Sequence, residues 1–159
     1  MQWKDVVADP NLQDLPFKIE TNEWGQIVMT PARLKRGHYQ SKIIVLLQAL
    51  VQASGEVITE CPIQTPKGTK VADVAWFSQE RWEQVKDEFD SPIAPEICIE
   101  ILSPSNSAAE ILEKQKLYFA KGADEVWICD ATGKMEFYLS VGVTAQSQLV
   151  PEFPIEILK

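Results

Sequence analysis

Three consecutive segments constrain this chain most: "PEICIEIL", "SPSNSAAEILEKQKLYFAKG" and "DEVWICD", which together fill most of residues 95–130. The first has the β-branched and apolar content of a central strand. The second breaks at Pro104 and restarts as a helix, with Ser107 and Glu110 spaced as an S-x-x-E capping box and Gly122 as the stop. The third returns to strand. Upstream, "FKIETNEWGQIVMTP" reads as two short strands joined by a turn at or before Gly25. In "HYQSKIIVLLQALVQASG" the residues Ile43, Ile44, Leu47, Leu50 and Val51 recur at helical spacing, and the helix ends at Gly55. "EVITE", "PIQTPKG" and "KVADVAWFS" read as strands, the last two joined by a turn at Lys67-Gly68, and a short helix covers 79–86. "MEFYLS" and "QLVPEF" supply further strands, with a turn over 131–134 before the first. The pattern is mixed α/β, with helices flanking one sheet.

Composition limits the chemistry. A chain of 159 residues that is 45% hydrophobic suits a single globular domain over 1–159. At that size it buries roughly two thirds of the surface its unfolded form exposes. No apolar stretch approaches the ~20 residues of a membrane-spanning helix. The start, "MQWKDVVADP", has no signal-peptide pattern, so a cytoplasmic protein is expected. Cys61, Cys98 and Cys129 are too widely spaced for a thiolate zinc site, and their odd number fits a disulfide framework poorly, so small buried hydrophobes are expected. His38 is the one histidine, which excludes a multi-histidine metal site and leaves carboxylates as ligands for a hard ion such as Mg²⁺ or Mn²⁺.

The formal net charge of −8 argues against tight non-specific binding of nucleic acid over the whole surface. One local exception stands out. No acidic residue occurs between Glu23 and Glu56, whereas Arg33, Lys35, Arg36 and Lys42 lie there, either as a phosphate-facing patch or as a solvated helix start.

Three side chains stand out as candidates for chemistry. Strand alternation puts Glu100 on one face with Glu96, Cys98 and Leu102, opposite Ile97, Ile99 and Ile101. It either points to solvent or, beside Leu102, is desolvated and needs a partner. Asp73, in "KVADVAWFS", is a residue type disfavoured in strand interiors, which suggests a strand end or a functional role. On adjacent strands these two acids would converge on a divalent cation. Lys114 falls on the apolar face of its helix, near Ile111, Leu117 and Tyr118, while Lys116 points elsewhere. Its stem either snorkels past the core edge or brings an ammonium to the acids, where it would orient water and stabilise charge on phosphorus.

These motifs, "FKIETNEWGQIVMTP", "VADVAWFS", "PEICIEILSPS" and "EILEKQKLYFAKGADEVWICD", resemble in order and spacing those of the Uma-two family, over about residues 17–138. That family is similar to restriction endonucleases and belongs to the PD-(D/E)xK nuclease superfamily. The resemblance implies a restriction-endonuclease-like fold with a central mixed β-sheet flanked by helices. It matches Asp73 to the aspartate of the "PD" motif and Glu100 to the acid of "(D/E)xK". Leu102 stands where the motif lysine is usual, and Lys114 is the matching lysine from the following helix, with Lys116 as the alternative. Glu20 matches an N-terminal acid of the metal cluster. Ala72 replaces the usual proline, Gln26 a common glutamate and Glu110 a common aspartate, and none of these changes removes a core catalytic group.

The implied activity is that of a metal-dependent endonuclease hydrolysing DNA phosphodiester bonds. Glu20, Asp73, Glu100 and Lys114 would be catalytic, Glu20, Asp73 and Glu100 would hold Mg²⁺ or Mn²⁺, and Arg33, Lys35, Arg36 and Lys42 would contact the DNA backbone. A homodimer is expected, because members of the superfamily are often dimeric and a domain this small gains contact area by pairing. The competing readings are a catalytically silent interaction protein with a nuclease fold, and a nuclease acting on RNA or on branched or single-stranded DNA.

Overall fold

A computed structural model describes residues 2–158 of the chain. It opens with helix α1 (Trp3–Ala8), which the sequence reading did not predict, and continues with the hairpin β1 (Phe17–Thr21) and β2 (Ile27–Pro31) and helix α2 (Leu34–Leu50). There follow β3 (Gly55–Thr65), β4 (Gly68–Ser78), α3 (Gln79–Val85), β5 (Ile97–Ile101), α4 (Ala108–Ala120), β6 (Glu125–Cys129), β7 (Met135–Leu139) and β8 (Gly142–Thr144). Strands β3 to β8 form one sheet in sequence order, antiparallel throughout except for β5 and β6, which run parallel and are joined by α4. This is the expected mixed sheet with flanking helices.

Some boundaries differ from expectation for local reasons. α2 begins at Leu34, about one turn before the segment read as helical from His38, and stops at Leu50, with Val51 in extended conformation. "EVITE" and "PIQT" are one strand, since Pro62 is accommodated within β3 without ending it. "QLVPEF" is not a strand but an irregular segment whose Val150 and Phe153 are buried against the sheet, while the short β8 supplies the edge. The helix after Pro104 starts as read: Ser107 Oγ accepts the Glu110 N–H at 3.1 Å. Gly122, just past its end, takes the left-handed φ of 100° that favours glycine.

The central strands β4, β5 and β6 are buried on both faces. Tyr39, Ile43 and Leu47 of α2 pack on one side against Ile97, Ile99, Ile101 and Trp127. On the other, Val85 of α3 and Tyr118 of α4 pack against Phe77, Cys98 and Val126. The alternation read from "EICIEIL" is thus borne out, and all three cysteines are free and buried. Among the described residues no helix is long and apolar enough to cross a membrane.

The β1–β2 hairpin lies outside the main sheet but is tied to the first half of β4. Thr69 N–H donates to Thr21 Oγ1 at 2.8 Å, Lys70 Nζ to the Thr21 carbonyl at 2.9 Å and Val71 N–H to Glu20 Oε2 at 2.7 Å. Gly68 makes this approach possible. Its φ is 91°, and a Cβ there would lie 2.5 Å from the Thr21 carbonyl oxygen and 2.6 Å from that of Asn22. Gly68→Ala is therefore expected to destabilise the protein by more than ~1 kcal/mol, because the new side chain meets backbone and the backbone itself is strained. Urea denaturation checks this, and an unchanged midpoint would contradict it.

Candidate active site

Asp73 reaches the site because β4 is released from both neighbours at that residue. The β3–β4 ladder pairs Thr59 with Val74 and Cys61 with Ala72, skipping the rung between Glu60 and Asp73, where Glu60 has a left-handed φ of 48°. Such a conformation costs a non-glycine residue about 1 kcal/mol or more. On the other side, the β4–β5 ladder ends at Val74 and Ile99, so antiparallel counting puts Asp73 across from Glu100. The carboxylate of Asp73 takes over where the ladder stops: its Oδ2 accepts the Ile101 N–H at 2.8 Å. The Asp73 carbonyl accepts the side-chain amide of Gln40 at 2.6 Å, and the same amide donates to Glu60 Oε1 at 3.2 Å.

Glu100 does not face solvent; it is 3% exposed and Asp73 1%. Its Oε1 accepts the Tyr118 hydroxyl at 2.6 Å and Lys114 Nζ at 3.4 Å. Lys114 also lies 2.7 Å from Glu20 Oε2, so the helix after Pro104 brings its lysine to both acids. Lys116 is exposed on the opposite side of that helix.

The fifth member was not anticipated. Lys18, buried in β1, places its ammonium 3.1 Å from Asp73 Oδ1 and 3.2 Å from Glu100 Oε2, bridging the two carboxylates. Three acids and two lysines therefore share one buried cluster.

Each acid has a different electrostatic setting. For Asp73, burial and the negative Glu100 raise the pKa, and the partial opposition of Lys18 and the Ile101 N–H does not cancel them. Burial works against ionisation of Glu100 too, but Lys114, Lys18 and the Tyr118 hydroxyl outweigh it and hold its pKa low. Glu100 has more donors aimed at it than Asp73, which accounts for the order. Burial alone would lower the pKa of Lys18, but Glu100, Asp73 and Glu20 raise it well above that of an ordinary lysine, so it stays charged. Tyr118 is held as a phenol by burial and by the charge of Glu100.

The cluster opens into a cleft of about 240 Å³, whose walls include Asn22, Val28, Arg36, Lys67, Asn106 and Glu110. Of the basic residues noted in the sequence, Arg36 lines this cleft, and Arg33 and Lys35 line an adjoining depression. Lys35 Nζ sits 5.7 Å from the Tyr39 ring centre. Lys42 is exposed further along α2 and lines neither. Lys67 and Lys70 also line the cleft, though Lys67 is paired with Glu113 and with Glu23, the latter at 3.8 Å.

Lys18, Tyr118 and Gln40 are what sequence reasoning missed. Lys18 had a signal: in "FKIE" it shares a strand face with Glu20. Tyr118 had one as well, four residues after Lys114 and so one helical turn along. Gln40 had none, because its role depends on a broken ladder rung.

A sheet of this order, carrying two acids on adjacent strands and a lysine from the next helix, has the restriction-endonuclease-like fold. Residues 13–155 match the Uma2 family, described as "Putative restriction endonuclease", and the chain belongs to that family. Among solved structures it is similar to a putative nuclease belonging to DUF820 from Anabaena variabilis. The TM-score is 0.76 at 19% identity, covering 99% of this chain and 96% of that one. No curated protein matches significantly.

Proposed function

We propose that this protein is a metal-dependent endonuclease that hydrolyses phosphodiester bonds in DNA. The observation that carries the reading is that the carboxylates of Asp73 and Glu100 converge on a single cationic point, with the Lys114 ammonium beside it.

The donor set fits a hard divalent ion. Mg²⁺ characteristically takes one or two carboxylates and completes its octahedron with water and substrate phosphate. Asp73 Oδ1 and Glu100 Oε2, which now share an ammonium, are the oxygens that would hold Mg²⁺ or Mn²⁺. Among the described residues no three acidic, histidine or cysteine side chains meet as a ready-made metal cluster. Glu20 Oε2 accepts from Val71 N–H and Lys114, which fixes the lysine, and Glu20 would serve the metal directly or through water. When bound, the ion supplies an acidified water and neutralises charge on the scissile phosphate.

The protein's own groups do the rest. Lys114, held by Glu20 and Glu100, orients the attacking water and donates to the phosphate oxygens as negative charge builds on them. Tyr118 fixes Glu100 so that its second oxygen stays aimed at the metal position. Arg36 in the cleft and Arg33 and Lys35 in the adjoining depression contact the sugar-phosphate backbone, and Lys42, further along α2, meets it beyond them. In this reading the active unit is a homodimer, which doubles the basic surface. Light scattering is expected to return twice 17.9 kDa; a mass near 17.9 kDa at micromolar concentration would refute the dimer.

Nicking of supercoiled plasmid with Mg²⁺ or Mn²⁺ tests the activity, comparing wild type with Asp73→Asn and Lys114→Ala. Equal rates in all three would remove the assignment. One observation favours a second reading, a catalytically silent interaction protein: Lys18 already satisfies both carboxylates. Absence of carboxylate-dependent metal binding in calorimetry would support it.

A further inference from the structure

The proposed mechanism leaves Lys18 without a task, although it is the most deeply buried cation of the cluster and touches both central acids. Its ammonium stands where a divalent ion would stand. An ammonium sits about 3 Å from its acceptors and a Mg²⁺ about 2 Å from its ligands, so the same two oxygens serve either cation but not both at once. Two cations within ~4 Å of one another in a protein interior repel strongly enough to offset much of what the carboxylates offer.

We propose that Lys18 is the resident counter-cation of the Asp73 and Glu100 pair, a group that a divalent ion must displace in order to bind. The inference rests on the metal-site reading above and deepens it. Metal entry and withdrawal of the Lys18 ammonium are then one event. The cleft that Lys18 lines is the space open to its flexible stem. A substrate phosphate in that cleft is the anion that would receive the freed charge. Metal and a phosphate ligand should therefore each tighten the binding of the other, because coupling between two sites is reciprocal. In the metal-free protein Lys18 is the cation that faces both buried carboxylates at once and offsets their mutual repulsion, which is a stability role.

Calorimetric titration of Mn²⁺ into wild type, Lys18→Met, Lys18→Gln and Asp73→Asn tests this at neutral pH. Both Lys18 variants are expected to bind Mn²⁺ about ten-fold to a hundred-fold more tightly than wild type. Their metal-free melting temperatures should fall, and Mn²⁺ should raise them by more than it raises that of wild type. Equal or weaker binding by both variants would overturn the role of Lys18 and leave the metal site standing. No Asp73-dependent binding in any protein would overturn the metal site and the inference with it. If neither variant folds, the wild type decides through the side-chain ammonium resonance of Lys18. Saturating Mg²⁺ should abolish its protected signal, and an unchanged signal would overturn the proposal.

Discussion

Asp73→Asn is expected to slow metal-dependent cleavage of plasmid DNA by a factor of about 10³ or more, with the fold retained. The amide keeps an oxygen that accepts the Ile101 N–H, so the end of the β4–β5 ladder survives. Its nitrogen would face the Lys18 ammonium, donor against donor, and the negative charge a divalent ion needs would be gone. Lys114→Met removes no metal ligand and is expected to cost about 10²-fold, because the water and the phosphate lose their cationic partner. Near-UV circular dichroism distinguishes these losses from unfolding. Cleavage by Asp73→Asn at the wild-type rate would show that the reaction runs elsewhere.

Trp127→Ala is expected to destabilise the protein by about 3–5 kcal/mol, a large part of the stability of a chain this size. Trp127 is fully buried at the centre of β6, with the rings of Phe153 and Phe137 at 4.6 and 5.1 Å. Truncation would leave a cavity under both. It would also leave one oxygen of a buried carboxyl group without its donor, because Trp127 Nε1 donates to Glu125 Oε1 at 3.0 Å. The other oxygen of Glu125 accepts the Leu149 N–H at 2.7 Å and so pins the irregular C-terminal segment to the sheet. Loss of the indole should therefore loosen that segment as well as the core. Chemical denaturation with hydrogen exchange around Leu149 checks both effects, and a shift below ~1 kcal/mol would contradict the packing account.

The βαβ region was legible because every local signal there agreed: apolar strand content, a capping serine, a glycine stop and a second apolar strand. The hairpin ending in "MTP" was legible for the same reason. "QLVPEF" misled because its apolar residues are buried as a loop cover, and burial without a hydrogen-bonded neighbour looks the same as a strand in sequence. β3 looked like two strands because Pro62 suggests a break, yet the register with β4 runs through it.

The candidate site divides similarly. Asp73, Glu100 and Lys114 were visible as polar groups in apolar settings, and the family resemblance added Glu20. The bridging place of Lys18 was not visible, because it depends on how the β1–β2 hairpin docks on β4, a long-range event fixed by Gly68 and by the side chains of Thr21 and Glu20. The strained Glu60 and the bridging Gln40 were hidden for a related reason. A skipped ladder rung has no composition.

The most direct measurement is anomalous diffraction from crystals soaked in Mn²⁺. The account predicts one peak held by Asp73 and Glu100, with Lys114 beside it and the Lys18 ammonium moved away. A Mn²⁺ peak absent from this pair, or found only elsewhere on the protein, would contradict it.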